Sequence, residues 1–270
     1  MSTQITRIFD SLRAEKKTAL MPFITGGYPS LDVTTSAIES IADAGASIIE
    51  VGIPFSDPIA DGPVISASMH DALQAGADPH SVFNAVRVAR AKTSVGLIAM
   101  VSVSIVTRIG AKTFISQAAD SGFNGLIVPD MDLSQASELS HLCESRDLAL
   151  ALLIAPTTSP DRMAQITKSC RGFIYLLARS GLTGEQKSSP EIAGSVNAIR
   201  SISKLPIAAG FGISTPEHVA AVTKYADAAI VGSALVRRMS QGDPVKAAAD
   251  FTRLLATGLR TGLPASSNSN

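Results

Sequence analysis

The chain has 270 residues, of which 46% are hydrophobic and 17% are charged. This composition provides a sizeable core and excludes a disordered protein, and the length suits one large α/β domain. Basic and acidic residues number 23 each, so the formal charge is zero. A neutral chain gives no reason to expect nucleic acid or an anionic membrane as a partner.

The sequence shows no sign of export or membrane insertion. Its first twenty residues form an amphipathic pattern without the apolar segment of a secretory signal. The longest uncharged apolar run, residues 93–107, is shorter than the roughly 20 residues that a membrane helix needs. We therefore expect a cytoplasmic protein, in which the isolated Cys143 and Cys170 stay reduced and serve in packing.

Eight short apolar segments predict β-strands. Most are continuously apolar rather than alternating, which is typical of parallel strands covered by helices. In chain order they are Ala19–Thr25, Ile48–Gly52, Gly96–Ser102, Gly125–Val128, Leu148–Ile154, Phe173–Ala178, Pro206–Ala209 and Ala228–Val231.

Helical patterns separate these strands, and several have recognisable ends. Ser30 is a predicted N-cap and Gly45 closes the same helix, while residues 159–161 and 214–217 place a capping side chain before proline and an acid. Eight βα units predict a single (β/α)8 TIM barrel, an α/β fold, with an extra N-terminal helix near Ile5–Glu15. A doubly wound open sheet is the alternative. We expect one domain over residues 1–270, with a disordered tail at 265–270.

Glu50 is an ionisable residue inside an otherwise apolar strand. Helices cover the outside of such a barrel and side chains fill its interior, so burial on either face deprives the carboxylate of water. That environment raises the pKa of a carboxyl group and suits it to proton transfer near neutral pH. We predict a catalytic role for Glu50, against the alternative of a paired or solvent-facing glutamate.

The loop after this strand contains two aspartates among three prolines, in residues 54–63 (PFSDPIADGP). Proline and the Asp-Gly step make a stiff loop that can hold a carboxylate in place. The chemistry alone does not separate Asp57 from Asp61, and either could be an ordinary turn residue.

Two glycine-bearing turns follow the seventh and eighth predicted strands, at residues 210–215 and 231–234. Many barrels bind phosphate at this position through backbone N–H groups. Glycine lets the backbone approach the phosphate oxygens. We therefore predict a phosphate site there, with ligand-free tight turns as the alternative. The long polar segment Ala178–Pro190 after the sixth strand is interpreted as a mobile lid or a simple surface loop.

Other chemistries lack the residues that they need. No predicted strand contains lysine, which disfavours a Schiff-base aldolase. The histidines fall in helical or loop segments rather than at strand ends, which disfavours a metal site or a His-centred triad. Gly210 and Gly212 have no third glycine at the dinucleotide spacing, so nothing indicates NAD.

Five motifs resemble those of the tryptophan synthase α subunit family, and the resemblance extends in register from about Ile5 to Gly258. The long motif at 51–63 is specific, whereas the glycine turns alone would not be. The motifs are residues 22–29 (PFITGGYP), 51–63 (VGIPFSDPIADGP), 179–184 (RSGLTG), 210–214 (GFGIS) and 232–233 (GS).

The resemblance implies a lyase that cleaves indole-3-glycerol phosphate to indole and glyceraldehyde 3-phosphate in tryptophan biosynthesis. Glu50 matches the family's catalytic glutamate and Asp61 its catalytic aspartate, which decides against Asp57. By the same match, the phosphate site would be lined by Gly184, Gly212, Ile213, Gly232 and Ser233. The indole would be flanked by Phe23, Tyr175, Leu177 and Phe211, and Thr183 would belong to the closing loop and bond toward Asp61.

One segment departs from the family pattern. After the third strand the family usually has Tyr-x-Asn-Pro, where this chain has Ser102-Val-Ser-Ile105. These positions shape the substrate pocket and the face toward the β subunit. The departure therefore concerns the fit of the indole and the coupling to the partner, and leaves both carboxylates in place.

The resemblance also implies an α2β2 complex in which indole passes to a β subunit. Pyridoxal phosphate is expected only in that β subunit, with no cofactor or metal in this chain. Two alternatives to the lyase are another phosphate-binding barrel enzyme, such as a sugar-phosphate isomerase or epimerase, and a non-catalytic α-like subunit that activates a partner.

Overall fold

The computed structural model describes residues 2–57, 61–178, 192–210 and 212–259. The described chain begins with a helix, and most of its strands are followed by one or two helices. In order they are α1 (Gln4–Ala14), β1 (Ala19–Thr25), α2 (Leu31–Asp43), β2 (Ile48–Gly52), α3 (Pro63–Gln74), α4 (Pro79–Arg90), β3 (Gly96–Met100), α5 (Val103–Ile109), α6 (Ala111–Asp120), β4 (Gly125–Ile127), α7 (Leu133–Glu144), β5 (Ala149–Ala151), β6 (Leu153–Ile154), α8 (Pro160–Ser169), β7 (Ile174–Leu177), α9 (Ala193–Arg200), β8 (Ile207–Gly210), α10 (Pro216–Thr223), β9 (Ala228–Val231), α11 (Ser233–Met239) and α12 (Pro244–Ala256).

The strands form one parallel sheet in the order β5-β4-β3-β2-β1-β9-β8-β7-β6. The two outermost strands, β5 and β6, are separated only by Leu152, whose carbonyl accepts the N–H of Tyr175 at 3.2 Å. The sheet therefore closes on itself through a single interrupted strand. The predicted (β/α)8 barrel is confirmed, and the open-sheet alternative is wrong because the first strand pairs with the last.

The fifth predicted strand, Leu148–Ile154, forms as two short strands rather than one. Leu150 and Arg171 exchange both backbone hydrogen bonds, at 2.9 and 2.7 Å, and the N–H of Leu152 points to the Cys170 sulfur at 3.4 Å. The segment before β7 thus occupies hydrogen-bonding positions that a neighbouring strand would use. Because these groups bond to residues 170 and 171, the strand hydrogen bonds are interrupted at Leu152.

Alternate residues of each strand face the barrel interior, as the two-residue period of a strand requires. On β1, Met21 and Phe23 belong to the interior cluster, while Leu20 and Ile24 pack outward against the helices. On β2, Ile48 faces the interior and Ile49 faces the helices. Glu50 shares the face of Ile48, so its side chain is directed into the barrel.

Helix α1 covers the N-terminal end of the barrel, as predicted, although it begins and ends one residue earlier than expected. Ile5 and Phe9 on its inner face are buried and belong to the interior cluster. The Phe9 ring lies 6.1 Å from the ring of Phe173. The opposite end, where the strands terminate, carries the βα loops.

The predicted end of the third strand is wrong, since β3 stops at Met100 and not at Ser102. Ser102 is the N-cap of α5, and its hydroxyl accepts the N–H of Ser104 at 3.2 Å. Such a local side-chain bond competes with continuation of a strand. The predicted caps Ser30 and Thr215 do accept helix N–H groups, whereas Ser159 precedes α8 without a capping bond from its side chain. No described helix combines the length and apolarity that crossing a bilayer requires.

Candidate active site

Glu50 lies in the middle of β2, in register with Phe23 of β1 and Ile98 of β3. Only 1% of the residue is exposed. Neither carboxyl oxygen has a hydrogen-bond partner among the residues that the structure describes. A buried carboxyl group without such partners is costly to ionise. The barrel interior therefore favours the protonated form of Glu50.

The second carboxyl group is that of Asp61, which precedes the N-terminus of α3. Burial raises the pKa of Glu50 well above its ordinary value, and the negative charge of Asp61 raises that pKa further. Burial also raises the pKa of Asp61 to about 6. Asp57, the other aspartate of this loop, is exposed to solvent. The structure thus brings Asp61 within electrostatic range of Glu50.

Tyr175 of β7 completes this group of titratable side chains. It is 3% exposed, and burial, Glu50 and Asp61 each raise the pKa of its phenol. The phenol therefore stays neutral near neutral pH. A Cβ at Gly210 would lie only 2.6 Å from the Tyr175 hydroxyl oxygen, so the ring needs glycine on the neighbouring strand. Leu177, two residues further along β7, is partly buried.

Phe23 is paired with Glu50 across β1 and β2, and its side chain extends to the glycine turn after β9. A Cβ at Gly52 would lie 2.6 Å from the Phe23 Cζ atom, and one at Gly232 would lie 3.7 Å from its Cβ and Cδ1 atoms. The side chain therefore spans from the end of β2 to the turn after β9. An apolar ring in this position can form one wall of a site for a flat apolar group.

The two predicted phosphate turns lie side by side. β8 and β9 are parallel neighbours, so the turns that follow them open at the same end of the barrel. Gly212 has a φ of +80°, which favours glycine, and Ile213 beside it is buried. Gly232 is the residue before α11, and Ser233, the first residue of that helix, is buried. Backbone N–H groups of both turns can face a common ligand.

Three candidate site residues, Thr183, Gly184 and Phe211, lie outside the described residues. The same holds for the predicted lid at Ala178–Pro190, apart from its first residue.

Asp130 is a strand-end carboxylate that we did not single out from the sequence. It follows β4, accepts the Ser102 hydroxyl at 2.7 Å and accepts the N–H of Val103 at 2.8 Å. Asp61, Asp130 and the exposed Asp57 line a cavity of about 200 Å³, which we call the Ser102 cavity. Asp130 lies in the loop after a strand, and the rule that places barrel active sites in these loops predicts a role for such a residue.

His218 also belongs near this end of the barrel, although we set all histidines aside. It lies in the first turn of α10, is 5% exposed, and its Nδ1 atom is 3.3 Å from the N–H of Ser214. It therefore supports the turn that contains Gly212. In the sequence, the only indication of this contact is that Ser214 and His218 are four residues apart at the predicted start of a helix.

Comparison with known proteins identifies relatives over almost the whole chain. The sequence model of the family described as "Tryptophan synthase alpha chain" matches residues 9–259. The tryptophan synthase alpha chain of Synechococcus sp. (strain CC9902) is 42% identical over 92% of this chain and 93% of its own length. That of Rhodopirellula baltica is 40% identical over 97% of this chain and 99% of its own.

Solved structures agree with these sequence relatives. Tryptophan synthase of Mycobacterium tuberculosis superposes with a TM-score of 0.89 at 32% identity, covering 97% of this chain and all of the matched chain. Tryptophan synthase subunit alpha of Legionella pneumophila gives a TM-score of 0.87 at 32% identity, with 96% and 98% covered. The resemblance seen in the motifs is confirmed, and the chain belongs to the tryptophan synthase alpha chain family.

Proposed function

We propose that this chain is a carbon–carbon lyase that converts indole-3-glycerol phosphate into indole and glyceraldehyde 3-phosphate, with Glu50 and Asp61 as its catalytic residues. The family supports the reaction. One structural observation supports the residue roles: a buried Glu50 of raised pKa lies in the barrel interior within electrostatic range of Asp61. Two carboxyl groups whose pKa values differ can serve as an acid and an anion at the same pH.

Glu50 begins as the acid in this proposal. It donates its proton to the indole ring carbon that carries the glycerol chain, and positive charge develops on the ring nitrogen. Asp61, with a pKa of about 6, is mainly ionised near neutral pH. Its carboxylate accepts the indole N–H and stabilises that positive charge.

Cleavage follows when the Glu50 carboxylate removes the proton from the hydroxyl group on the carbon bonded to the ring. The oxygen forms the aldehyde, the carbon–carbon bond breaks, and its electrons return to the ring. Indole and glyceraldehyde 3-phosphate are released, and Glu50 has regained the proton that it donated. The indole ring accepts the electrons itself, so the chemistry balances without an organic cofactor in this chain.

The rest of the proposed site follows the geometry of the strand ends. Phe23, Tyr175 and Leu177 flank the indole, and the turns containing Gly212, Ile213, Gly232 and Ser233 bind the phosphate. Tyr175 contributes a neutral, buried ring beside both carboxyl groups. Backbone N–H groups suit phosphate because they donate hydrogen bonds without adding a fixed side-chain charge.

A β subunit is the partner that family membership implies. We propose that the chain works in a cytoplasmic α2β2 complex, with pyridoxal phosphate held by the β subunit only. Within the described residues, no three His, Cys, Asp or Glu side chains are grouped so that they could hold a metal ion.

The decisive experiment measures indole release from indole-3-glycerol phosphate, with and without a β subunit. Release by the chain alone, increased by the β subunit, is the expected result. No release under either condition, together with activation of the β subunit, would instead identify a non-catalytic partner subunit. Lack of both effects, with turnover of a sugar phosphate, would identify an isomerase or epimerase.

A further inference from the structure

The Ser102 cavity lies where β2, β3 and β4 end, beside the proposed catalytic group. Its volume is about 200 Å³, and most of its walls are apolar. Asp61 forms part of its lining, so it adjoins the carboxylate that we assign to the indole N–H. The apolar walls include Ile53, Phe55, Met69, Met100 and Pro129.

Ser102 keeps one side of this cavity open because its side chain is both small and fixed. The hydroxyl group donates to Asp130 at 2.7 Å and accepts the N–H of Ser104 at 3.2 Å. These bonds hold the hydroxyl at the start of α5. A side chain of the size of tyrosine or leucine at this position would occupy space that the serine leaves free.

The position of Asp61 indicates which part of the ring faces the cavity. If Asp61 accepts the indole N–H, the ring edge beside the nitrogen lies toward it. That edge carries carbons 7 and 6, whereas carbon 4 lies on the opposite side of the six-membered ring. The cavity therefore adjoins carbons 6 and 7.

We propose that the Ser102 cavity extends the indole site and accepts a small apolar substituent at carbon 6 or 7 of the substrate, and that Ser102 determines this tolerance. The inference rests on the proposed function, because the Asp61–indole contact orients the ring. A methyl group is far smaller than the cavity. Its burial among apolar side chains would increase affinity by about three- to fourfold.

The test compares four substrates with the α chain in its β-subunit complex: indole-3-glycerol phosphate and its 4-, 6- and 7-methyl derivatives. For the unmodified chain we expect kcat/KM of the 6- or 7-methyl compound to be within about threefold of the parent value, or higher. The 4-methyl compound, which carries a similar electronic effect without access to the cavity, should fall by at least about tenfold.

Two substitutions of Ser102 separate lost space from a lost hydrogen bond. Ser102→Leu takes up part of the cavity and removes the bond to Asp130, whereas Ser102→Ala removes the bond and keeps the space. Relative to the parent substrate measured with the same protein, turnover of the 6- or 7-methyl compound should fall at least about tenfold in Ser102→Leu and change little in Ser102→Ala. Ser102→Val supplies a smaller filling residue if leucine prevents folding.

The outcomes distinguish this inference from the proposed function. Absence of indole release from the parent substrate in every protein would overturn the proposed function. Parent turnover accompanied by equal rejection of the 4-, 6- and 7-methyl compounds would overturn the inference alone. An unchanged ratio in both Ser102→Leu and Ser102→Val would also overturn it.

Discussion

Glu50 occupies a position at which an uncharged side chain of similar shape would be easier to bury. Its carboxyl oxygens lack hydrogen-bond partners within the described part of the chain, and only 1% of the residue is exposed. Each buried polar group without a hydrogen bond lowers the stability of the fold by about 1–3 kcal/mol. Residues that weaken the fold in this way are concentrated at functional sites, since chemistry is the compensating gain.

The first prediction concerns the proton that Glu50 carries. Glu50→Gln removes the acid but keeps the shape, so kcat for indole release should fall at least about a thousandfold with little change in KM. Steady-state kinetics measure this, and circular dichroism checks that the variant is folded. Normal turnover would exclude Glu50 from the mechanism.

The two loop aspartates provide a matched pair. Asp61→Asn removes the partly buried charge that raises the pKa of Glu50, and kcat should fall by about a hundredfold or more. Asp57→Asn makes the same chemical change at an exposed residue, which lines the Ser102 cavity but is not assigned to the chemistry, and kcat for the parent substrate should stay within about threefold. The reverse order of effects would assign the second carboxylate to Asp57.

The third prediction concerns stability and pH. Asp61 has a folded-state pKa of about 6 against an ordinary value of 3.8. Between these values the folded chain retains a proton that the unfolded chain has lost, so the free energy of unfolding decreases as pH rises through this range. Asp61→Asn removes the ionisable group, so its free energy of unfolding at pH 7 should exceed that of the unmodified chain by up to about 3 kcal/mol.

Urea unfolding at pH 4, 5, 6, 7 and 8 measures this difference. The stability gained by Asp61→Asn should be small at pH 4, increase up to about pH 6 and then level off. Asp57→Asn, the same substitution at the exposed aspartate of this loop, serves as the control. A gain that is constant over the whole pH range would contradict a partly buried Asp61 that titrates near pH 6.

At the scale of elements, the turn after β8 determines phosphate binding in our proposal. Gly212→Asp places a like charge in the turn and a side chain at a φ of +80°. We expect kcat/KM to fall at least tenfold, which corresponds to about 1.4 kcal/mol. Inorganic phosphate should also lose its ability to compete with the substrate, which equilibrium competition measures.

Gly242 provides the matched control for that substitution. Its φ is +72°, and a Cβ there would meet no atom within 4 Å. Gly242→Asp therefore imposes a similar conformational cost and the same charge in the exposed turn between α11 and α12, which helix α11 separates from the turn after β9. Its kcat/KM should stay within about twofold of the unmodified value. Equal losses in both variants would mean that backbone strain, rather than phosphate binding, explains the effect.

The elements themselves were predictable to different degrees. β1, β2 and β9 have the predicted bounds, because their apolar runs end in glycine or polar turns. The apolar run after Gly96 ends in a helix instead, because the Ser102 hydroxyl caps α5. Apolarity alone does not separate a buried strand from a buried helix, so hydrogen-bond partners decided this boundary.

At the scale of the whole molecule, the packing of α1 and the proposed catalytic site lie at opposite ends of the barrel. Phe9 of α1 fills the N-terminal end and contacts Phe173, whereas Glu50 and the glycine turns face the other end. Phe9→Ala should lower the free energy of unfolding by about 3–5 kcal/mol, because it leaves a cavity in the interior cluster. Activity of the folded variant should stay within about twofold.

Chemical denaturation and steady-state kinetics on the same preparation measure both quantities. Leu254→Ala is the control, since this leucine is 49% exposed, and its stability should change by no more than about 0.5 kcal/mol. A Phe9→Ala variant of normal stability, or one that is folded but inactive, would contradict the separation of the two ends.

The sequence by itself determined the fold class, the carboxylate inside β2 and the position of the glycine turns, because hydrophobic periodicity and residue type are local properties. It left Asp57 and Asp61 equivalent until the family motif distinguished them, and it did not indicate Asp130 or the cavity beside Ser102. The tertiary structure separated the two aspartates by burial and charge. It also closed the sheet through two short strands. Burial, electrostatic interaction and cavity shape arise between residues distant in sequence, so only the folded chain defines them.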